Sequence, residues 1–531
     1  MPSASKVKAW LDNRDFLLVL VPVCLLALFA RMFRIDTIGF SGDQALYAGQ
    51  AAGLAGFQGY SQFFAPVSRG FTNFLLFQSF VAVGYSIFGV SDTLARVVSV
   101  LFGVGTVTLV FLIGSMLFDK TTAAFSSIII AIGGYDVILS RMALIDSTSI
   151  FFFFLSLLFL ARWLKLSNPV NLYGSLLFAT LATLTKVTSV VSFVIIAVLL
   201  AVRPSHRLTT ARAKRALIIL LPFAVLAGSY LVVNWGATTF GAEWQYSRAF
   251  GGNPIGDSSF APPKTDYYIR QIVAYQGYMF PLVAVVAAVY ASWKRSLGDH
   301  LTLAATIIPL AFFEFYPLKG FQFILSSIVA MSLLIGRLLG VLIQRGKPAL
   351  EFLHLQRRRL GRLIPVVGGL TFVALVVTLT VQSATVVEYD SFYLGAREFA
   401  YWLRDNTPDT ARFVTPLNGL ANIIKYYSLR HAYPIFYLGQ VNLDPNVDID
   451  KLVANGTIRY VILDDWSTSI LRPYSDHAYE VRFRLTQYIA SYSGDLIYVH
   501  YVAAHDGTLG DIRVPRAWVY QLHKVGGAAT S

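Results

Sequence analysis

The chain has 531 residues, 56% of them hydrophobic and only 14% charged, with a mean hydropathy of +0.59. Soluble proteins carry about 25% charged residues, so this composition cannot clothe a globular surface and describes a polytopic membrane protein. The 43 Lys+Arg against 29 Asp+Glu leave +14, which in a soluble chain would point to nucleic acid. Here the apolar runs make membrane orientation the better cause, and the lone Cys24 excludes an internal disulfide framework or a cysteine-rich metal cluster.

A helix crosses the ~30 Å hydrocarbon core with about 20 apolar residues. Segment 16–30 is the first span; Lys6, Lys8 and Arg14 precede it and no small-residue cleavage site follows, so it reads as an uncleaved signal anchor. Segment 74–90 is apolar but carries Gln78, Gly84 and Tyr85, with Asn73 just before, which fits an amphipathic interfacial helix better than a lipid-facing span. Spans are then expected at 94–117, 121–139, 147–160, 172–185, 187–202 and 216–235. After a polar stretch (236–264) come 272–293, 301–313, 321–342 and 364–381, which completes eleven.

Charge decides the ambiguous segment. If 74–90 crossed, Arg203, Arg207, Arg212, Lys214, Arg215, Lys294, Arg295 and Arg357–Arg359 would all lie outside, against the rule that short basic loops stay in the cytoplasm. Eleven spans put the N-terminus inside and the C-terminus outside the plasma membrane. The expected inner segments then hold 19 basic and 5 acidic residues, which accounts for the whole excess. With that topology Asp43, Arg141, Asp146, Lys186, Glu314 and Lys319 converge at span ends on the external face. Ionisable groups at membrane depth are costly and mark function, although each alone also fits a snorkelling anchor.

From Glu388 the chain changes character, with 13 basic and 15 acidic residues and turn signals such as Asn406-Thr-Pro408, Asn418-Gly419 and Asn455-Gly456. Helical spacing over 391–404, strands near 412–414, 458–463, 496–502 and 512–520, and a short helix at 449–454 predict a small external α/β domain. The expected division is therefore a transmembrane catalytic domain, 1–385, and an extracytoplasmic domain, 386–531. Asp464-Asp465 at a strand end reads as a turn or cap.

The first external loop reads Phe40-Ser-Gly-Asp-Gln-Ala-Leu-Tyr-Ala48. Asp43 sits where a helix could begin and on its own reads first as an N-cap; the sharper reading is a carboxylate held at the membrane surface to deprotonate a hydroxyl or hold a metal. In order follow Ala65-Pro66, Ala95-Arg96-Val-Val-Ser99, Ser140-Arg-Met-Ala-Leu-Ile-Asp146, Leu184-Thr-Lys186 and Lys319-Gly-Phe-Gln-Phe-Ile324. This series, over roughly the first 340 residues, resembles the GT-C superfamily of membrane glycosyltransferases, in its protein O-mannosyltransferase and aminoarabinose-transferase branch. The resemblance implies a GT-C-like helical fold and an inverting transfer of sugar from a polyprenyl-phosphate donor to a glycan, lipid or protein acceptor. Asp43 would be the base, or a ligand of a divalent cation (Mg or Mn), and Asp146 a second acidic group near the donor. Lys186, Lys319, Arg141 and Arg96 would serve the donor phosphate, with Tyr47 and Glu314 as further site residues.

Three positions depart from the family. Gln44 stands where a second carboxylate is expected, Phe64 replaces a basic residue that Arg69 would have to supply, and Gln322 replaces an arginine. The rival class is a transporter or flippase of lipid-linked glycans, which should show repeated halves and charged or broken helices at mid-membrane. The expectation here is unbroken spans with charge gathered at their external ends.

Overall fold

The computed structural model describes residues 14–65, 75–202, 228, 232, 266–316, 319–344, 360–389, 393–436, 447–467, 475–506 and 510–523. They fall into two compact units. The first takes the described residues of Met1–Phe33, Arg96–Val233 and Pro263–Asp390; the second those of Arg34–Ala95, Asn234–Pro262 and Ser391–Ser531.

The first unit is helical. Five described helices are long and apolar enough to cross a membrane, namely Asp92–Leu117, Ile145–Leu166, Leu297–Phe315, Phe321–Gln344 and Leu363–Val387. The count rises to seven if each of two bent pairs is one span. Of the eleven expected spans, 216–235 lies almost wholly outside the described residues and the others fall on helices, several of them short. In its apolar window Phe321–Gln344 is 94% buried and Leu363–Val387 only 22%, so the former is a core helix and the latter presents most of its surface outward.

The expectation of unbroken spans fails twice. Segment 121–139 is a pair of helices, Lys120–Ile132 and Gly134–Arg141, bent by 56°. Segment 272–293 becomes Tyr267–Gln276 and Met279–Lys294, bent by 113°. Gly277 makes the second turn at φ 71, where a side chain would also strike Thr378 at 2.4 Å. That backbone region is open to glycine at little cost. Broken helices free backbone carbonyls that must find donors in an apolar medium. At the first break they do: Arg31 donates to Ile130 O (3.2 Å) and Ala131 O (2.9 Å), and Ser383 Oγ to Ile132 O (2.5 Å). Arg31 is fully buried and also pairs with the buried Asp136 carboxylate, so a charged pair staples the first helix to the broken one.

In the second unit, helix Gly42–Leu54 begins after Ser41 in extended conformation, with Asp43 in its first turn, where the helix dipole favours a carboxylate. The Asp43 N-cap reading is thereby corrected by two residues: Ser41 is the cap residue. Helix Leu76–Phe88 has 13 residues, about 20 Å at 1.5 Å per residue, too short to span. It buries Phe77, Gln78, Val81, Ala82 and Tyr85 along one face, as an amphipathic helix should. A buried amide ladder ties the two helices, Gln78 Nε2 donating to Gln50 Oε1 (3.0 Å) and Gln50 Nε2 to Ala65 O (3.1 Å).

The tail forms a five-stranded sheet ordered β2-β1-β3-β5-β4, where β1 is Arg412–Leu417, β2 His431–Phe436, β3 Tyr460–Asp464, β4 Asp495–Asp506 and β5 Gly510–Gln521. β2, β1 and β3 run parallel, and β5 is antiparallel to β3 and β4. Helix Ala396–Asn406 buries Ala396, Phe399, Ala400 and Leu403, the face its spacing predicts. Helix Ile449–Ala454 also falls where expected. Helix Asn418–Ser428, helix Ser475–Ser491 and strand β2 had no counterpart in the sequence reading. Val414, Leu417, Val453, Ile458, Val461, Val481 and Leu485 form the core between sheet and helices.

Candidate functional site

In the helical unit, Asp146 opens helix Ile145–Leu166, and Lys186 follows helix Pro169–Thr185 in an extended residue that ends it. The helices pack tightly through small polar side chains: Ser156 Oγ donates to Ser175 O (2.8 Å), and Ser149 Oγ to Ala182 O (3.0 Å). That packing brings the two ends together, and Lys186 Nζ donates to Asp146 Oδ1 at 2.5 Å, with only 13% and 7% of the two side chains exposed. The pair lines a small, partly open recess whose walls include Ser149, Thr188, Ser189, Gln322 and Ser326. Phe323 forms another wall, its ring 5.2 Å from Lys186 Nζ in cation–π position.

Lys319 stands on the next turn of chain. Its ammonium donates to Phe313 O (2.8 Å) and to Glu314 O, lies 4.0 Å from Glu314 Oε2, and sits 5.2 Å from the Tyr268 ring. Burial lowers its pKa and the Glu314 carboxylate opposes that. Phe313 links the two lysines, because it lines the recess and its ring packs on Phe323 at 5.3 Å. Thus Asp146, Lys186, Gln322, Glu314 and Lys319, taken from separate loops, are gathered in one unit. The turn carrying Gln322 and Phe323 is held from below: Tyr135 donates to Phe321 O, and Tyr275 stacks on Phe321 at 5.5 Å.

Arg141 and Arg96 belong to a different cluster. Arg141 is buried and donates to the carbonyls of Ala30 (3.3 Å), Arg31 (2.8 Å) and Phe33 (2.6 Å), so it caps the end of the first helix. Arg96, 4% exposed, and Arg31 are its electrostatic neighbours. The Arg31–Asp136 pair was missed by the sequence reading. The available signal was the pair of charges themselves, one at a span end and one inside an apolar run.

In the second unit Asp43 is exposed, while Gln44 (4%) and Tyr47 (5%) are buried. Gln44 Nε2 donates to Ser41 Oγ (3.1 Å), and the Tyr47 ring meets Phe77 edge-on at 6.5 Å. These two neighbours therefore build the loop helix, and Asp43 is the group it presents. Tyr393 stands close enough to feel the charges of Asp464 and Asp43, which add to burial in raising its pKa. Arg69 lies outside the described residues. A divalent cation at Asp43 would find one carboxylate beside a carboxamide. Among the described residues no three His, Cys, Asp or Glu side chains converge on a metal position. The donors near Asp43 among the described residues are too few for a metal centre.

Residues 75–232 match the family model of dolichyl-phosphate-mannose-protein mannosyltransferase. No curated protein matches the chain in sequence. Among solved structures, apo ArnT from Cupriavidus metallidurans is similar at 15% identity with a TM-score of 0.62, over 96% of this chain and 98% of that one. The same protein bound to undecaprenyl phosphate gives 0.60 at 15% identity, over 97% and 99%. The apo oligosaccharyltransferase of Archaeoglobus fulgidus gives 0.60 at 14% identity, over 95% of this chain and 75% of that one; that protein has also been solved with zinc and sulfate. At these identities the likeness is one of fold, and it extends through the small sheet domain as well as the helices.

Proposed function

We propose that the chain is a multi-pass membrane enzyme of the GT-C superfamily, in its mannosyltransferase and ArnT-like branch, and that it transfers a sugar from a polyprenyl-phosphate donor to an acceptor hydroxyl on the external face. The observation that carries this reading is the Asp146–Lys186 recess, with Lys319 bonded to the carbonyl of Phe313, which lines it. A lipid-linked donor keeps its phosphate at headgroup height, and its departure needs positive charge that is desolvated and already oriented. Lys186 supplies such an ammonium at a helix end, and Lys319, held on the Phe313 and Glu314 carbonyls, adds its positive charge nearby. Asp146 holds Lys186 ready and marks where the phosphate would compete for it. The hydroxyls of Ser149, Thr188 and Ser189 and the Gln322 amide offer neutral hydrogen bonds suited to a sugar. Asp43 takes the acceptor proton while the acceptor oxygen attacks the anomeric carbon and the polyprenyl phosphate leaves, which inverts that carbon. The neighbours that ArnT and the oligosaccharyltransferase were solved with, undecaprenyl phosphate and dolichol phosphate, have the chemistry this site requires.

The first broken span weakens the transporter reading. A transported ion or solute would need the carbonyls freed at the 120–141 break, and Arg31 and Ser383 already occupy them. Asp43→Asn tests the proposal: mass spectrometry of cell-envelope glycans should show the transferred sugar gone, with purified protein still folded and still binding undecaprenyl phosphate. Unchanged transfer would remove Asp43 as the base.

A further inference from the structure

The segment that bears Asp43 does not hang free. Within the second unit it is seated on one helix of the sheet domain, Asn418–Ser428. Three contacts define the seat. Phe40 is fully buried, its N–H donates to Tyr427 Oη at 2.8 Å, and its ring packs against Tyr426 and Tyr427 at 5.1 and 6.1 Å. Asn422, 3% exposed, reaches Gly42 O with its amide at 3.4 Å. Gly42 and Gly419 approach so closely that a Cβ on Gly42 would lie 2.4 Å from Gly419 Cα, and one on Gly419 would lie 2.1 Å from Tyr393 Oη. Tyr427 also donates to Asp92 Oδ2 (2.5 Å), and Tyr426 Oη lies 3.3 Å from Tyr85 Oη, so the same helix grips both ends of the first-loop segment. The residues flanking Asp43 are thereby clamped while Asp43 stays exposed.

We propose that helix Asn418–Ser428 is the seat that sets the height and direction of the Asp43 carboxylate, with Gly419, Asn422 and Tyr427 as positioning residues. The sheet domain is then a working part of transfer and not an appendage for binding. This rests on the reading of Asp43 as base. Geometry of this kind carries weight, since misplacing a reacting group by about 1 Å can cost about 100-fold in rate.

The test uses the full-length protein, with transferred sugar read by envelope-glycan mass spectrometry and carrier affinity by titration with undecaprenyl phosphate. Gly419→Ala must push the Tyr393 hydroxyl away, and should lower transfer at least 10-fold while carrier Kd changes less than 2-fold. Adding Tyr393→Phe removes the oxygen at 2.1 Å, so the double variant should recover at least half of the loss on a logarithmic scale. Asn422→Ala should lower transfer about 3- to 10-fold, again without weakening carrier binding. Unchanged transfer in Gly419→Ala, or a double variant no better than the single, would overturn the seat. So would loss of carrier binding in parallel with transfer in both Gly419→Ala and Asn422→Ala, because the contact would then serve stability alone. Asp43→Asn separates the premises: if it abolishes transfer and Gly419→Ala does not, only the seat fails; if Asp43→Asn itself transfers normally, the base reading fails first.

Discussion

Lys186 and Asp146 form a pair in which the two partners should respond oppositely to substitution. Lys186 donates to Asp146 at 2.5 Å with both side chains nearly buried, so removing either leaves a desolvated charge. For buried pairs that costs about 3–5 kcal/mol of stability, and thermal melts in detergent should fall for Lys186→Met. Binding separates the roles. A charge-assisted hydrogen bond contributes about 1.5–3 kcal/mol, which at about 1.4 kcal/mol per decade is roughly 10- to 100-fold in affinity. Lys186→Met should therefore weaken undecaprenyl phosphate by that factor, measured by native mass spectrometry or titration in nanodiscs. Asp146→Asn removes the anion that competes with phosphate for the same ammonium, so carrier affinity should hold or rise while transfer falls. Lys186→Arg should recover part of the binding, since it keeps the charge. If Asp146→Asn weakens the carrier as much as Lys186→Met does, the pair is a structural staple and the phosphate lies elsewhere.

Other expectations follow from particular contacts. With Cys24→Ser as background, a cysteine at Asp409, whose side chain is 93% exposed, should react with impermeant maleimide from outside intact cells, and one at Arg207 only after permeabilisation; the reverse pattern would invert the membrane topology and the site with it. Arg31→Met should destabilise the protein by about 3–5 kcal/mol by stranding Asp136. Adding Asp136→Leu should recover part of that, less than all because the Ile130 and Ala131 carbonyls lose their donor. Burial lifts Asp464 from 3.8 to about 7. A carboxyl with a raised folded pKa is favoured protonated, so the stability tied to it is complete below about pH 4 and is lost as pH rises to about 7. The total is about 4 kcal/mol at about 1.4 kcal/mol per unit. Asp464→Asn should flatten the dependence of Tm on pH between 4 and 8, and a parallel curve would refute the assignment.

Much of this was legible because membrane physics is written at the scale of composition. Apolar runs locate helices within a few residues, and loop charge argues that 74–90 does not cross; the helix found there has 13 residues. Periodicity also found the buried face of Ala396–Asn406. Strand β2 escaped because Pro434 within His431–Phe436 argues against a ladder position, and it is tolerated there because β2 is a sheet edge. The two bent spans escaped because hydropathy has no sense of direction: a window over 272–293 averages through Gly277 whether the chain goes straight or turns by 113°.

The site divides along the same line. Asp146, Lys186, Glu314 and Lys319 were recognisable as polar ends of apolar segments, and packing of Ile145–Leu166 on Pro169–Thr185 then forces two of them into contact. Arg141 was recognisable by the same rule, yet its guanidinium is spent on three carbonyls at the end of the first helix. The rule finds every cation at a span end; it cannot tell one that closes a helix from one that waits for a phosphate, because both are positive charge at headgroup height. What distinguishes them is the partner. Backbone carbonyls are permanent acceptors that nothing displaces, so Arg141 is committed to structure. The Asp146 carboxylate is an anion, and a second anion can take its place on Lys186.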